Sequence, residues 1–200
     1  MPLPPGMWPE DPTPYELINC QKCSLALQRS RIVWGEGNPN AGIFILLDNP
    51  GAREDKSGVP FICGTRQTLY SAAASVCLGK NDLYVTYVVR CRPVKKYDKE
   101  QARSTCINHL QDQLNTKIPK LVVCLGNVAA QSYLANSETE VKDLRGSISF
   151  YNGIAAAFSY HPLAVRRRPI LNRLFLEDWN LIASYYRNEI LPSIGASFSH

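Results

Sequence analysis

The sequence predicts an α/β fold, a three-layer αβα sandwich built on a central four-stranded parallel sheet. Two observations carry that expectation. Four short apolar runs, at residues 42–48, 83–90, 120–126 and 153–160, read as strands buried on both faces. Helical patterns separate them, and strands that alternate with helices join in parallel, with helices covering both faces of the sheet. A helix over 65–78 follows Gly64 and stops at Gly79. One over 98–114 opens on Asp98, a good N-terminal cap, and carries Cys106 on its body. A third, over 127–134, begins directly after Gly126. The last, over 171–190, is amphipathic, with Leu174, Leu181, Ile182 and Tyr185 on one face.

No repeat, internal linker or second boundary interrupts residues 1–200, so a single domain is expected, led in by an extended Pro-rich segment at 1–17. That segment has neither a basic start nor an apolar core, so it is expected to be neither a signal peptide nor a membrane anchor. No apolar run approaches the ~20 residues that a membrane helix needs. A cytoplasmic, monomeric protein with no membrane partner is the expectation. In a reducing compartment the seven cysteines point to ligands and core thiols rather than disulfides.

Cys20 and Cys23 stand two residues apart, and Cys91 and Cys106 are separated by fourteen. A tight Cys-x-x-Cys pair delivers two thiolates to one group, and two more complete a tetrathiolate shell. The spacing alone suits zinc and iron–sulfur equally, and free buried thiols are common. Net charge is +5 and unevenly spread. Arg90, Arg92, Lys95, Lys96 and Lys99 crowd around Cys91, while Arg166, Arg167, Arg168 and Arg173 crowd the last third. Two basic clusters on one domain suit a polyanion, nucleic acid foremost.

Ligands of open parallel sheets bind beyond the carboxyl ends of the strands. There the sequence puts Asp48-Asn49-Pro50-Gly51, Tyr87 to Arg92, Gly126-Asn127 and His161-Pro162. Taken with Gly58-Val59-Pro60-Phe61, Tyr84-Val85-Thr86-Tyr87-Val88-Val89-Arg90-Cys91-Arg92-Pro93 and the cysteine spacing, the chain resembles the uracil-DNA glycosylase superfamily, specifically its family 4 iron–sulfur enzymes. The resemblance runs in order from about Cys20 to the last helix.

It implies a DNA glycosylase that flips uracil or another deaminated base from DNA and hydrolyses its N-glycosidic bond. Cys20, Cys23, Cys91 and Cys106 would hold a structural 4Fe-4S cluster. His161 would donate a hydrogen bond to the departing base, and Asp48 or Asn49 would place the water. Phe61 would stack on the base, and Pro50, Gly51 and Ala52 would bring the backbone close to sugar or phosphate. Leu163 or Val165 would wedge the duplex while Arg166, Arg167 and Arg168 hold phosphates.

Two places depart from the family pattern. Leu47-Asp48-Asn49-Pro50-Gly51 stands where family 4 reads Gly-Glu-Ala-Pro-Gly, so Asp48 takes the place of a Glu. Tyr87 stands where the family has an Asn that reads the edge of uracil. A phenol offers one hydroxyl where an amide offers a donor and an acceptor. Its side chain is expected to point into the base pocket and to weaken uracil excision. The runner-up is therefore an iron–sulfur DNA-binding protein of the same fold with little or no excision. A zinc-ribbon-like module is a third reading, disfavoured by the four-strand pattern.

Overall fold

The structure, a computed structural model, describes residues 8–57 and 64–192. Its centre is the expected parallel sheet. Strands β3 (Ile43–Leu47), β4 (Leu83–Tyr87), β5 (Leu121–Leu125) and β7 (Ile154–Ser159) all run parallel, in the spatial order β4-β3-β5-β7.

Three antiparallel strands at its edges widen it to seven among the described residues. They are β1 (Glu10–Asp11), β2 (Gly35–Gly37), which pairs with β4, and β6 (Ile148–Tyr151), which pairs with β7. Sequence periodicity misses them for simple reasons. The first two are too short to alternate, and β6 has both central residues exposed. The β6–β7 turn is Asn152-Gly153, with φ of 48° and 79°, the left-handed pair that suits a two-residue hairpin. Part of the Pro-rich lead-in is thus built into the sheet, and Trp8 stacks on Tyr70 with ring centroids 4.2 Å apart.

Successive strand residues point to opposite faces, and each face has its own core. Ile43, Ile45 and Leu47 of β3 meet helices α2 (Thr65–Ser75), α6 (Pro162–Arg167) and α7 (Leu171–Tyr185) through Leu69, Val165, Phe175 and Trp179. Phe44 and Leu46 meet α3 (Lys99–Lys117) and α4 (Asn127–Leu134) through Ala102, Leu110, Ala129 and Ala130. All five residues of β3 are buried. At about 1.5–3 kcal/mol for each large side chain, such a strand contributes heavily to both layers.

Two further short helices, α1 (Ala52–Ser57) and α5 (Val141–Leu144), follow β3 and α4. Helix ends follow local chemistry. Asp98 accepts from the Gln101 N–H at 2.9 Å and caps α3, which runs three residues past the expected end. Helix α2 closes before Gly79: Cys77 takes a left-handed φ of 58° and the Leu78 N–H returns to the Ala73 carbonyl at 2.9 Å. Helix α7 continues as a wider turn over Tyr186–Ile190, and buries Phe175, Asp178, Trp179, Ile182 and Ala183. Of the four residues expected on its apolar face, Ile182 alone is fully buried.

Candidate active site

Because the four central strands are parallel, Asp48, Gly126 and His161 emerge at one edge of the sheet. His161 caps α6. Its Nδ1 accepts the Leu163 N–H at 3.1 Å, so in the neutral ring the proton sits on Nε2. That nitrogen faces Asp48 Oδ1 at 3.4 Å. Burial alone would raise the Asp48 carboxyl, but the hydrogen bond and charge of His161, with the Asn49 N–H at 2.7 Å, outweigh it and hold the pKa below the ordinary value.

Gly126 makes the approach possible. Its φ is +95°, and a Cβ there would lie 2.9 Å from His161 Cβ. The loop after β3 is held by its own hydrogen bonds. Asn49 turns its amide nitrogen onto the Pro50 carbonyl at 2.9 Å. Gly51 and Ala52 are exposed, with Glu54 folded against Gly51 so closely that an added Cβ would meet Glu54 Oε2 at 2.6 Å.

Phe61 lies outside the described residues. Leu163 is half-buried, and Arg166, Arg167 and Arg168 are all exposed. Val165 must be corrected as a wedge: it is 4 % exposed and packed in the core, with no side chain to offer a duplex. The large apolar residue that does protrude beside the arginines is Ile170, 84 % exposed. An isoleucine inside an Arg- and Pro-rich stretch with no strand or helix period was the available signal.

Tyr87 is fully buried, and a network that sequence reasoning missed surrounds its hydroxyl. Arg66, 3 % exposed, donates to the Tyr87 oxygen through Nε at 3.2 Å and through a second, shorter contact. The same guanidinium donates to the Tyr70 hydroxyl at 3.0 Å, pairs with buried Glu36 of β2 and comes within 3.8 Å of Glu54. Tyr70 also donates to Glu36. Burial pushes the Tyr87 phenol above its ordinary pKa, with the Arg66 charge opposing. A clue existed in Arg66 itself, a charge on the same stripe of α2 as Leu69 and Ala73. A cation on an apolar stripe requires a buried partner.

On the opposite face of the sheet, Cys20, Cys23, Cys91 and Cys106 line a single cavity together with Arg29, Arg90 and His109. Cys91 and Cys106 are buried and the other two half-buried. Arg29 donates to Cys91 Sγ at 3.4 Å and to the Cys20 carbonyl at 2.6 Å. Arg90 corrects the reading of the first basic cluster. It is 2 % exposed, lies over Trp34 at 5.2 Å and bonds Gln113 at 2.7 Å, while Arg92 is half-buried and Lys95, Lys96 and Lys99 are exposed. Among the described residues its Nε and one terminal nitrogen have no hydrogen-bond partner, and burial pulls its pKa down to about 10.

Among the described residues, no group of three or more His, Cys, Asp or Glu side chains is arranged around a single metal ion. Of the other cysteines, Cys77 is exposed, Cys124 is buried, and Cys63 is outside the described residues.

Residues 34–183 match the family described as the uracil DNA glycosylase superfamily. The chain is 31% identical to a type-4 uracil-DNA glycosylase of Pyrobaculum aerophilum, over 82% of its own length and 88% of that protein. It is 31% identical to one from Archaeoglobus fulgidus, over 84% of this chain and 88% of that one. A third, from Thermotoga maritima, is 29% identical over 85% of this chain and 91% of its own.

Proposed function

Since the chain belongs to the uracil DNA glycosylase superfamily, we propose that it excises uracil or another deaminated base from DNA by hydrolysing the N-glycosidic bond. The observation that carries the reading is the His161–Asp48 pair at the carboxyl edge of the sheet. As the bond between C1′ and the base breaks, its electron pair leaves with the base and the sugar becomes cationic. The Nε2–H of His161 offers a hydrogen bond to a carbonyl oxygen of the departing anion, whose charge develops there. Asp48 is held ionised by its surroundings. It can accept a hydrogen bond, and then the proton, from the water whose oxygen adds to C1′; that proton ends on the base anion, leaving the neutral free base and an abasic sugar. Asn49 turns its amide nitrogen onto the Pro50 carbonyl, which leaves its Oδ1 as a second acceptor for that water.

Arg166, Arg167 and Arg168 would meet phosphates, and Ile170, next to them and exposed, takes the place expected of Val165 against the base stack. The cysteine cavity fits a 4Fe-4S cluster. Its donor set is four thiols, and the unpartnered nitrogens of Arg90 beside them need an anionic neighbour, which a tetrathiolate group supplies. Held by Cys20, Cys23, Cys91 and Cys106, the cluster would be structural, tying the N-terminal turn to the exit of β4 and to α3.

Single-turnover excision on single- and double-stranded oligonucleotides containing uracil or hypoxanthine tests the activity. His161→Ala should slow it by roughly 10²–10³-fold, the usual cost of losing one oriented donor, while DNA binding survives. A rate close to wild type would remove His161 from the chemistry.

A further inference from the structure

The chain that leaves β4 runs along the same edge of the sheet as the candidate site. Val88 and Val89 continue the pairing past the end of the strand, their N–H groups on the Leu47 and Asp48 carbonyls at 2.8 and 2.9 Å. Cys91 then anchors the chain in the core, and the next fixed point is Asp98, the cap of α3. The loop between these anchors is held through its backbone. Gln28 Oε1 accepts both the Val94 N–H at 2.9 Å and the Lys95 N–H at 2.8 Å. Tyr97 leads back toward the site: it is half-buried, burial raises its phenol, and the charges that reach it include those of Arg103 and Asp48.

What this held loop displays is positive charge. Lys95, Lys96 and Lys99 are exposed, and among the described residues none of the three forms an ion pair. Arg92, by contrast, faces Asp55 at 4.0 Å and is compensated within the chain. A charge run on a loose loop is ordinarily solvated surface. Three unpaired ammonium groups on a pinned loop are preorganised, so a polyanion that binds them has only their side chains left to order.

Strand order decides what they flank. Of the four parallel strands, β4 and β7 are the outer two, with β3 and β5 between them. The lysines follow β4 on one side, Arg166, Arg167 and Arg168 follow β7 on the other, and Asp48 and Gly126 stand between. Successive strand spacings from β4 to β7 put the two sides about 14 Å apart. That is about four phosphate steps along one DNA strand.

We propose that the loop after β4 is a second phosphate-binding flank, in which Lys95, Lys96 and Lys99 hold the DNA backbone on the side of the extruded base opposite to Arg166, Arg167 and Arg168. The inference rests on the proposed function in one respect, that the base enters between the ends of these strands. Contacts on both sides fix the backbone while the nucleotide between them rotates out. Binding energy from remote phosphates then offsets the cost of unstacking.

Salt-dependent binding to an uncleavable duplex carrying 2′-fluoro-arabinouridine tests it, and needs no bond to break. Replacing Lys95, Lys96 and Lys99 together by Ala should lower the salt slope by about two to three and weaken binding at moderate salt by at least about tenfold. Replacing Lys80 and Lys120, exposed at the opposite, amino-terminal edge of the sheet, should change the slope by less than about one. Position is read by moving the analogue to about two base pairs from the 5′ or the 3′ end of its strand. The lysine variant should lose its difference from wild type on one of these duplexes, and the variant lacking Arg166, Arg167 and Arg168 on the other. Thermal unfolding should give the lysine variant the wild-type midpoint, since all three side chains are exposed.

A salt slope that the lysine variant leaves unchanged overturns the inference, and so does an equal effect of both variants on both end-placed duplexes. Lysine-dependent binding in a protein that excises nothing would count against the proposed chemistry and leave the second flank standing.

Discussion

Two buried arginines on opposite faces of one sheet are compensated in opposite ways. Arg66 is surrounded by the chain's own partners: a carboxylate at Glu36, phenols at Tyr70 and Tyr87, and a second carboxylate nearby at Glu54. Among the described residues, Arg90 has a side-chain hydrogen bond to Gln113 and an aromatic face, and two of its nitrogens are without a hydrogen-bond partner beside four cysteines. A charge taken out of water costs several kcal/mol unless it is paired. The first arginine is satisfied within the protein's own framework, whereas the second has hydrogen-bond donors left over on the side of the cysteines. Under the proposed function, that second arginine faces the cluster.

The contrast breaks most sharply at the cysteines. Cys106→Ser or Cys20→Ser should abolish iron binding and the broad visible absorption of a cluster, with loss of solubility, while Cys77→Ser, exposed at the end of α2, should leave both unchanged. Iron content and absorbance of purified protein decide it. A full iron complement in the Cys106 variant would leave Arg90 without its anionic neighbour.

Next in size is the pair of arginine deletions. Arg66→Met removes the only buried cation facing Glu36 among the described residues and should cost about 3–5 kcal/mol, the usual penalty of breaking a buried pair from one side. Arg90→Met should cost much less in protein stripped of iron by a chelator, because fewer hydrogen bonds are lost. In iron-loaded protein the same change should hasten iron release. Denaturant titration of both variants, with and without iron, makes the measurement. Equal costs in the stripped protein would mean that the unpaired nitrogens of Arg90 carry no information.

Exposed arginines give a third and weaker case. Replacing Arg166, Arg167 and Arg168 together by Ala should weaken binding to all DNA sequences alike and reduce the salt slope by up to about three phosphate contacts. Stability should scarcely move, since all three are solvent-exposed. An unchanged slope would show them to be ordinary surface charge.

How much of this was legible in the sequence tracks how local each signal is. The four parallel strands were legible because a strand buried on both faces must be apolar throughout, as Ile43 to Leu47 is. That the four cysteines meet at one cavity was legible in part because a Cys-x-x-Cys pair delivers two thiols to one place. The edge strands were not, since Glu10 and Asp11 enter the sheet through backbone pairing that composition does not record.

The Arg66 network was hidden for a different reason. It joins α2, β2 and β4 across 21 to 51 residues of chain, and no local pattern says that the phenol at 87 will meet the guanidinium at 66. Val165 fell to the same limit: the loop after His161-Pro162 winds into α6, and one turn of helix carries position 165 inward while 166 to 168 stay outside.

Asp48 lies between the two extremes, half-buried and partnered by a group that is itself titratable. Its pKa in the folded protein is lowered from 3.8, despite burial, by His161 and the Asn49 N–H. The sign is therefore that of a carboxylate preferred in its charged form by the fold. The stabilisation is fully present above the ordinary carboxylate value and fades as pH falls through the lower, folded one. Asp48→Asn should accordingly lower the thermal midpoint at neutral pH by a few degrees at most, for a partly exposed pair. The gap to wild type should close on acidification below about pH 4. Paired unfolding curves across that range measure it. A gap that stays constant with pH would mean that the Asp48 charge gains nothing from His161, and that the two meet only when a base lies between them.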